Sequence, residues 1–206
     1  MQKWHQIKNP IRVVTAASLF DGHDATINII RRILQDFGAE VIHLGHNRSV
    51  YDVVKAVLQE GAQGVCISSY QGGHMEYFRY MRQLLDACGA TYVKIYGGGG
   101  GVIVYEEKKQ LESEGISQIF HPDDGRRLGL EGMINMIIEG CDFDILTEQK
   151  KIAASGKTFQ KMEENDSIPN LEIGQALTWV ENQTLHNTSK VETVDYKKAF
   201  EQFGLN

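Results

Sequence analysis

Cysteine is scarce and unpaired in this 206-residue chain, which holds only Cys66, Cys88 and Cys141. Three is an odd number and none stand at C-x-x-C spacing, so neither a disulfide framework nor a structural zinc site is expected, and the pattern fits a reducing cytoplasm. Basic runs are missing too. With a formal charge of -6, the chain lacks the electrostatic footprint of a nucleic-acid binder or of a protein held to an anionic membrane. Nor is there a long apolar run. None approaches the roughly 20 residues that a membrane helix needs, and the opening MQKWHQIKNP has no apolar stretch to act as a signal peptide, so a soluble cytoplasmic protein is expected. What remains is enough chain for one ordinary domain plus an extension, with a small molecule or another protein as partner.

What the sequence does have is one pattern repeated five times. IRVVTAA (11–17) is β-branched and almost continuously apolar, as in a strand covered on both faces. Residues 25–37 then place Ile27, Ile30, Ile33, Leu34 and Phe37 on one helical face, ending at Gly38. The same alternation predicts strands at 40–44, 64–68, 91–96 and 116–120. Helices are expected from Ser49 to Gly61, over about 75–88, after the glycine run through Leu111, and over about 124–139. Ser49 followed by Asp52 reads as a capping box with Asp in place of Glu. Successive strand-helix units imply an α/β fold, a doubly wound five-stranded parallel sheet of flavodoxin-like or Rossmann-like type, because parallel neighbours need right-handed crossover helices.

Such sheets bind ligands beyond the carboxyl ends of their strands, where strand order reverses; for order 2-1-3-4-5 that is between the first and third strands. The unusual residues fall there. LFDGHDAT follows the first strand, SSYQGGH the third and YGGGGG the fourth. His23 offers a ring nitrogen to a borderline transition metal, and Asp21 is placed to take the hydrogen bond of the other ring nitrogen. Gly22 would let the backbone bend sharply between them. The plainer reading makes Asp21 and Asp24 turn and N-cap residues beside an exposed His23. Five glycines from Gly97 to Gly101 cost ordering entropy without packing, so a bulky planar or phosphorylated group is expected against their backbone. A dinucleotide fingerprint fails, because the last glycine of G-x-G-x-x-G would fall at Val102 and the run follows the fourth strand. Ser68 and Ser69 either bond a ligand or cap the next helix.

The combination of DGHDAT, SSY and YGGGGG resembles the D-x-H-x-x-G, S-x-L and G-G pattern of cobalamin-binding domains in base-off, histidine-on corrinoid enzymes. Over about residues 11–143 the text resembles more closely the N-terminal domain of fused isobutyryl-CoA mutases, relatives of methylmalonyl-CoA mutase. Thr26 stands where the pattern has glycine, Tyr70 where it has leucine, and Ala17 where methylmalonyl-CoA mutases often carry lysine, which favours the isobutyryl branch. The resemblance implies that His23 displaces the dimethylbenzimidazole of the cofactor and becomes the lower axial ligand of cobalt, with Asp21 behind it. It implies that Ser68 bonds the displaced base between the sheet and the first helix, and that Gly97, Gly98 and Gly99 line the nucleotide tail. Gly22, Asp24, Ala25, Thr26, Ser69 and Tyr70 complete the expected cofactor-binding set. The implied cofactor is adenosylcobalamin and the implied activity carbon-skeleton isomerisation of an acyl-CoA. This chain would be the cofactor-holding part, inactive without a substrate-binding barrel, with a GTPase chaperone domain as a further partner.

Among the other histidines, His46 lies on the carboxyl edge and could approach the corrin; His74 and His121 could touch cofactor or be satisfied locally, and His5 and His186 look like surface residues. The cobalamin-binding domain is expected over 1–144, and 145–206 as a linker or partly helical extension, with short helices at 170–183 and 195–203. ASGKT there is not a P-loop, because the first glycine of the motif would fall at Lys151 and no strand precedes it. Two alternatives stand beside this. A corrinoid carrier of a methyltransferase shares D-x-H-x-x-G but has a helical bundle upstream, where only about ten residues precede the first strand. A flavodoxin-like interaction domain without cobalamin, as in response regulators, needs an aspartate at the end of the third strand, where Ser68 stands.

Overall fold

The computed structural model describes residues 4–154, over which strands and helices alternate as the periodicity predicts. The elements are β1 (Arg12–Ser18), α1 (Ala25–Asp36), β2 (Glu40–Arg48), α2 (Val50–Gln59), β3 (Gly64–Ser68), α3 (His74–Ala87), β4 (Lys94–Gly98), α4 (Tyr105–Ser113), β5 (Gln118–Phe120), α5 (Pro122–Cys141) and α6 (Ile145–Ala154). All strand pairs are parallel and the order is β2-β1-β3-β4-β5. Each face of the sheet has its own core, as the two-residue period of a strand requires. Val14, Val65, Ile67, Ile95 and Ile119 pack with Phe78 and Met81 under α2, α3 and α4. Val13, Cys66 and Tyr96 pack with Ile27, Leu34 and Ile134 under α1 and α5.

Local signals explain most boundaries. Ser49 caps α2, its hydroxyl accepting the Asp52 N–H at 3.1 Å while the Asp52 carboxylate accepts the Ser49 N–H at 3.3 Å. α1 stops at Gly38, whose φ of 93° is the left-handed turn that ends helices. Besides a β5 that starts at Gln118 instead of residue 116, two strands and the course of one helix differ from expectation. β4 runs over 94–98 instead of 91–96, so Gly97 and Gly98 are strand residues held by pairing with Ile67 and Ser68. β2 continues past Leu44 to Arg48, carried by two irregularities in its register with β1. α5 bends at Gly129, whose φ of 67° and ψ of 170° are not helical.

Within the extension, α6 opens with Ile145 and Leu146, 1% and 8% exposed. The short helices expected at 170–183 and 195–203, with His186, lie outside the described residues. Among the described residues no helix is long and apolar enough to cross a membrane.

At the amino edge, Asp142 gathers the chain that leads into β1. Its carboxylate, 2% exposed, accepts the Lys8 N–H at 2.9 Å and the Asn9 N–H and Nδ2 at 2.8 Å each, and lies 2.7 Å from His5 Nε2. His5, expected at the surface, is half-buried because of this pairing. Burial works to raise the Asp142 pKa, but the hydrogen bonds from His5, Asn9 and Lys8 outweigh it and hold the carboxyl below its ordinary value. A carboxyl depressed in the fold contributes stability that is complete above its unfolded pKa, near 4, and is lost as pH falls through the folded value. Asp142→Ala should therefore cost about 3 kcal/mol at pH 7, since several donors lose their acceptor. In urea unfolding from pH 7 to pH 3 the variant should also lose stability less steeply than the wild type; parallel pH profiles would show that Asp142 does not set the acid response.

Candidate functional site

The loops after β1, β3 and β4 meet at the carboxyl edge of the sheet, and Asp21 is the point at which two of them are tied. Its side chain is 1% exposed. Oδ1 accepts the His23 N–H at 2.8 Å and lies 2.9 Å from His23 Nδ1; Oδ2 accepts the N–H of Tyr70, beyond β3. A carboxylate opposite Nδ1 places the ring proton there, which leaves Nε2 as the lone-pair nitrogen of a side chain that is 76% exposed. The Tyr70 ring stands beside it, with centroids 5.4 Å apart. Tyr70 also reaches α1, where its hydroxyl lies 3.2 Å from Thr26 Oγ1.

Next to this histidine a cleft of about 160 Å³ opens between the sheet and helices α1 and α5. Ile27, Ile30, Ile134 and Ile137 form its helical walls; Cys66, Ser68, Tyr96 and Gly98 form its floor, with Phe120 and Pro122 at one side. Burial, reinforced by the neighbouring Cys141 and Cys66 thiols, pushes the Tyr96 phenol far up, and burial does the same to the Cys66 thiol. The floor is therefore uncharged at neutral pH. Such a slot suits a flat, neutral, largely apolar group with few polar atoms.

The structure brings most of the expected residues to this edge and reassigns several. Thr26, Ser68, Tyr70, Gly97, Gly98 and Gly99 border the cleft. Gly22 and Ala25 are exposed beside His23, and Asp24 occupies the N-cap of α1 without a side-chain capping bond. Ser69 does not border the cleft. It is fully buried, its hydroxyl accepts from Ser18 Oγ at 2.9 Å, and its N–H donates to Gly98 O at 2.8 Å. Adjacent strand-end residues point to opposite faces, which separates Ser69 from Ser68. Gly22 lies in the turn that the bond from the His23 N–H to Asp21 Oδ1 closes, without a positive φ; the left-handed residue of this loop is Phe20, with φ 63°.

The glycine run has two causes where one was expected. A Cβ on Gly97 would stand 2.3 Å from Phe78 Cζ, and one on Gly99 would stand 1.9 Å from Ser69 O, so packing within the protein itself requires these two. Gly98 differs, since a Cβ there would meet nothing nearer than Phe120 O at 3.4 Å. Its missing side chain leaves room in the cleft. Of the further histidines, His46 is exposed at the end of β2. His74 is buried and satisfied locally, 2.9 Å from Glu107 Oε2. His121 caps α5 and borders the cleft.

A family model described as the B12 binding domain matches residues 11–123, more than half of the chain. The chain belongs to the B12-binding domain family. It is 64% identical over 140 residues to the fused isobutyryl-CoA mutase of Geobacillus kaustophilus (strain HTA426), a match that takes in 68% of this chain and 13% of that protein. It is 30% identical over 116 residues to the 2-hydroxyisobutanoyl-CoA mutase small subunit of Aquincola tertiaricarbonis, covering 56% of this chain and 84% of that one. The chain thus spans only about an eighth of the fused relative's length. A crystal structure of a cobalamin-binding protein from Desulfitobacterium hafniense DCB-2 shares the fold at a TM-score of 0.53 and 20% identity, over 63% of this chain and 58% of that one.

Sequence reasoning passes over several residues of the cleft and of the loop beside it. Tyr96 and Phe120 are strand residues whose alternation alone would have placed them on the α1 and α5 face. Asn47 gives no such signal, because its role is a contact with Phe20 across 27 residues of chain, a 2.8 Å bond from the Phe20 N–H to Asn47 Oδ1. The two glycines of β4 separate experimentally. Gly97→Ala should destabilise the B12-binding domain by about 2 kcal/mol through overpacking against Phe78, whereas Gly98→Ala should change stability by less than about 1 kcal/mol. Urea denaturation of both variants checks this, and equal losses would contradict the assignment of the two faces.

Proposed function

We propose that this domain binds cobalamin with the dimethylbenzimidazole of the cofactor displaced and His23 as the lower axial ligand of cobalt. The enzyme it serves, on this reading, is a cytoplasmic adenosylcobalamin-dependent acyl-CoA mutase of the isobutyryl-CoA type, with the acyl-CoA held by a separate substrate-binding barrel and a GTPase chaperone domain as a further partner. The observation that carries the reading is an exposed histidine paired through Nδ1 with a buried carboxylate, beside a mostly apolar cleft. Its kinship with mutases, fused or in the form of small subunits, supports the choice of reaction.

The residues fit the group. Among the described residues no three His, Cys, Asp or Glu side chains converge on a point, so His23 suits a metal whose remaining ligands arrive with it. Asp21, acting on Nδ1, makes Nε2 the better donor and limits rotation of the ring. Ser68, at the floor of the cleft with its hydroxyl donating to His23 O at 3.4 Å, would turn to hydrogen-bond a ring nitrogen of the displaced base, and Ile30, Ile134 and Tyr96 would cover its apolar faces. Gly98 leaves room for the tail, and Thr26 offers a hydroxyl where the family pattern has glycine. When bound, adenosylcobalamin supplies homolytic chemistry, a carbon radical delivered to the acyl-CoA. The residues of this chain hold the cofactor and keep water from its tail.

Titrating the 206-residue chain with hydroxocobalamin, followed by ultraviolet-visible absorption, tests the reading. The wild type should give the spectrum of a corrinoid with its own base off and histidine on. His23→Ala should lose that spectrum, and Gly98→Ala should bind at least about tenfold more weakly because its methyl group enters the slot. Retention of the base-on spectrum by wild type at saturation would sink the proposal.

A further inference from the structure

Phe20 departs from what its position asks for. The turn that ends β1 is closed by the Asp21 N–H donating to Ser18 O at 3.1 Å, which makes Leu19 and Phe20 its two central residues. Leu19 packs against the core, and Phe20 takes φ 63° at the second central position, where glycine or asparagine ordinarily stands. Its side chain is nonetheless 84% exposed, the most exposed large hydrophobic residue among those described. An exposed apolar side chain is ordinary by itself. A strained backbone that presents one is not, because the domain bears both costs without a compensating contact of its own. The loop even contains a glycine in open space, Gly22, that does not take the left-handed conformation.

The strained conformation is also gripped. Asn47 Oδ1 accepts the Phe20 N–H at 2.8 Å, and the Asn47 N–H donates to Asp21 O at 3.3 Å, so one residue of β2 holds the chain on both sides of the Phe20 carbonyl. Asn47 is itself left-handed, with φ 56°. It is brought there by the register irregularities of β2, which pair Ala16 with Gly45 and then Ser18 with Arg48. Bulges that re-aim a side chain are common beside functional sites. The span being gripped is the one that carries Asp21, and hence the orientation of His23.

We infer that Phe20 is a corrin-contacting residue of this site, its ring held outward to pack against the macrocycle that His23 ligates, with Asn47 as its positioning residue. The inference rests on the proposed role of His23. A macrocycle ligated through so exposed a histidine must spread over the surrounding loop, and Phe20 is the exposed large apolar side chain of that loop. Corrin is rich in methyl and methylene groups, and an aromatic ring against them gains dispersion and removes apolar area from water. Preorganisation explains the strain, since a ring already fixed in place loses little freedom on binding.

The test compares wild type with Phe20→Asn, Asn47→Gly and the double variant, using hydroxocobalamin as probe and urea unfolding of the cofactor-free chain as control. Asparagine accepts positive φ better than phenylalanine, so Phe20→Asn should fold with stability equal to or above that of the wild type, whereas Asn47→Gly keeps the backbone conformation but loses the bond to the Phe20 N–H and should fold with slightly lower stability. Phe20→Asn should keep the histidine-on spectrum but bind about tenfold more weakly, mainly through faster dissociation. Asn47→Gly should lose about fivefold, and the double variant no more than Phe20→Asn alone, because Asn47 acts through Phe20. If the wild type is histidine-on and Phe20→Asn binds within twofold of it, this inference fails while the role of His23 stands. Full cobalamin affinity with weakened association to a substrate-binding subunit would instead assign Phe20 to that partner and overturn it. A wild type that never becomes histidine-on brings down both.

Discussion

The site depends on the burial of one carboxylate. Asp21 is nearly inaccessible to water and satisfied by donors from two different loops, the N–H and ring of His23 and the N–H of Tyr70. A carboxylate in that position is tolerable only while its donors stay in place. The loops after β1 and β3 are therefore not free to move apart, and the carboxylate that locks them also selects the tautomer of His23. Stability and ligand chemistry rest here on one interaction, so a change at Asp21 cannot affect one without the other.

The two faces of the sheet are used differently. On the α2, α3 and α4 side the packing is closed to the point that Gly97 admits no methyl group against Phe78. On the other side the cleft persists between β3, β4, α1 and α5, and Gly98, one residue along the same strand, faces it. The contrast follows from the two-residue alternation of a strand, which lets neighbouring glycines serve unrelated purposes. One lets a helix approach; the other leaves the cleft open.

The fold was legible because parallel strands buried on both faces are nearly continuous in apolar residues, whereas the helices between them carry one stripe each. Where the reading slipped, pairing overrode local preference. TYV (91–93) has the letters of a strand and Gly97-Gly98 does not, yet the register with β3 puts the strand over 94–98. The polar end of β2, HNR, is strand only because its bulges keep it beside β1. At the site, Asp21 and His23 were readable because a carboxylate two residues before a histidine has specific chemistry to offer. Ser68 and Ser69 carry the same hydroxyl, and only the pleat shows that one faces the cleft while the other bonds Ser18. Nothing local in the sequence marks Phe20 as the left-handed residue of its loop, because what holds it is a tertiary bond from its N–H to Asn47.

On the proposed reading, the cofactor completes the second core. The cleft is bounded by residues that also belong to that core, among them Ile27, Cys66, Tyr96, Ile134 and Ile137. A flat apolar group inserted there would bury surface that the protein alone leaves uncovered, so binding and folding draw on the same hydrophobic driving force. The kink of α5 at Gly129 fits this arrangement, because it lies beside Leu130 and Met133, which border the cleft, while Ile134, Ile137 and Ile138 keep the following turns packed on the sheet. The first turn of the helix is held separately, by the His121 cap and by Lys108, whose ammonium lies 2.6 Å from the Asp124 carboxylate.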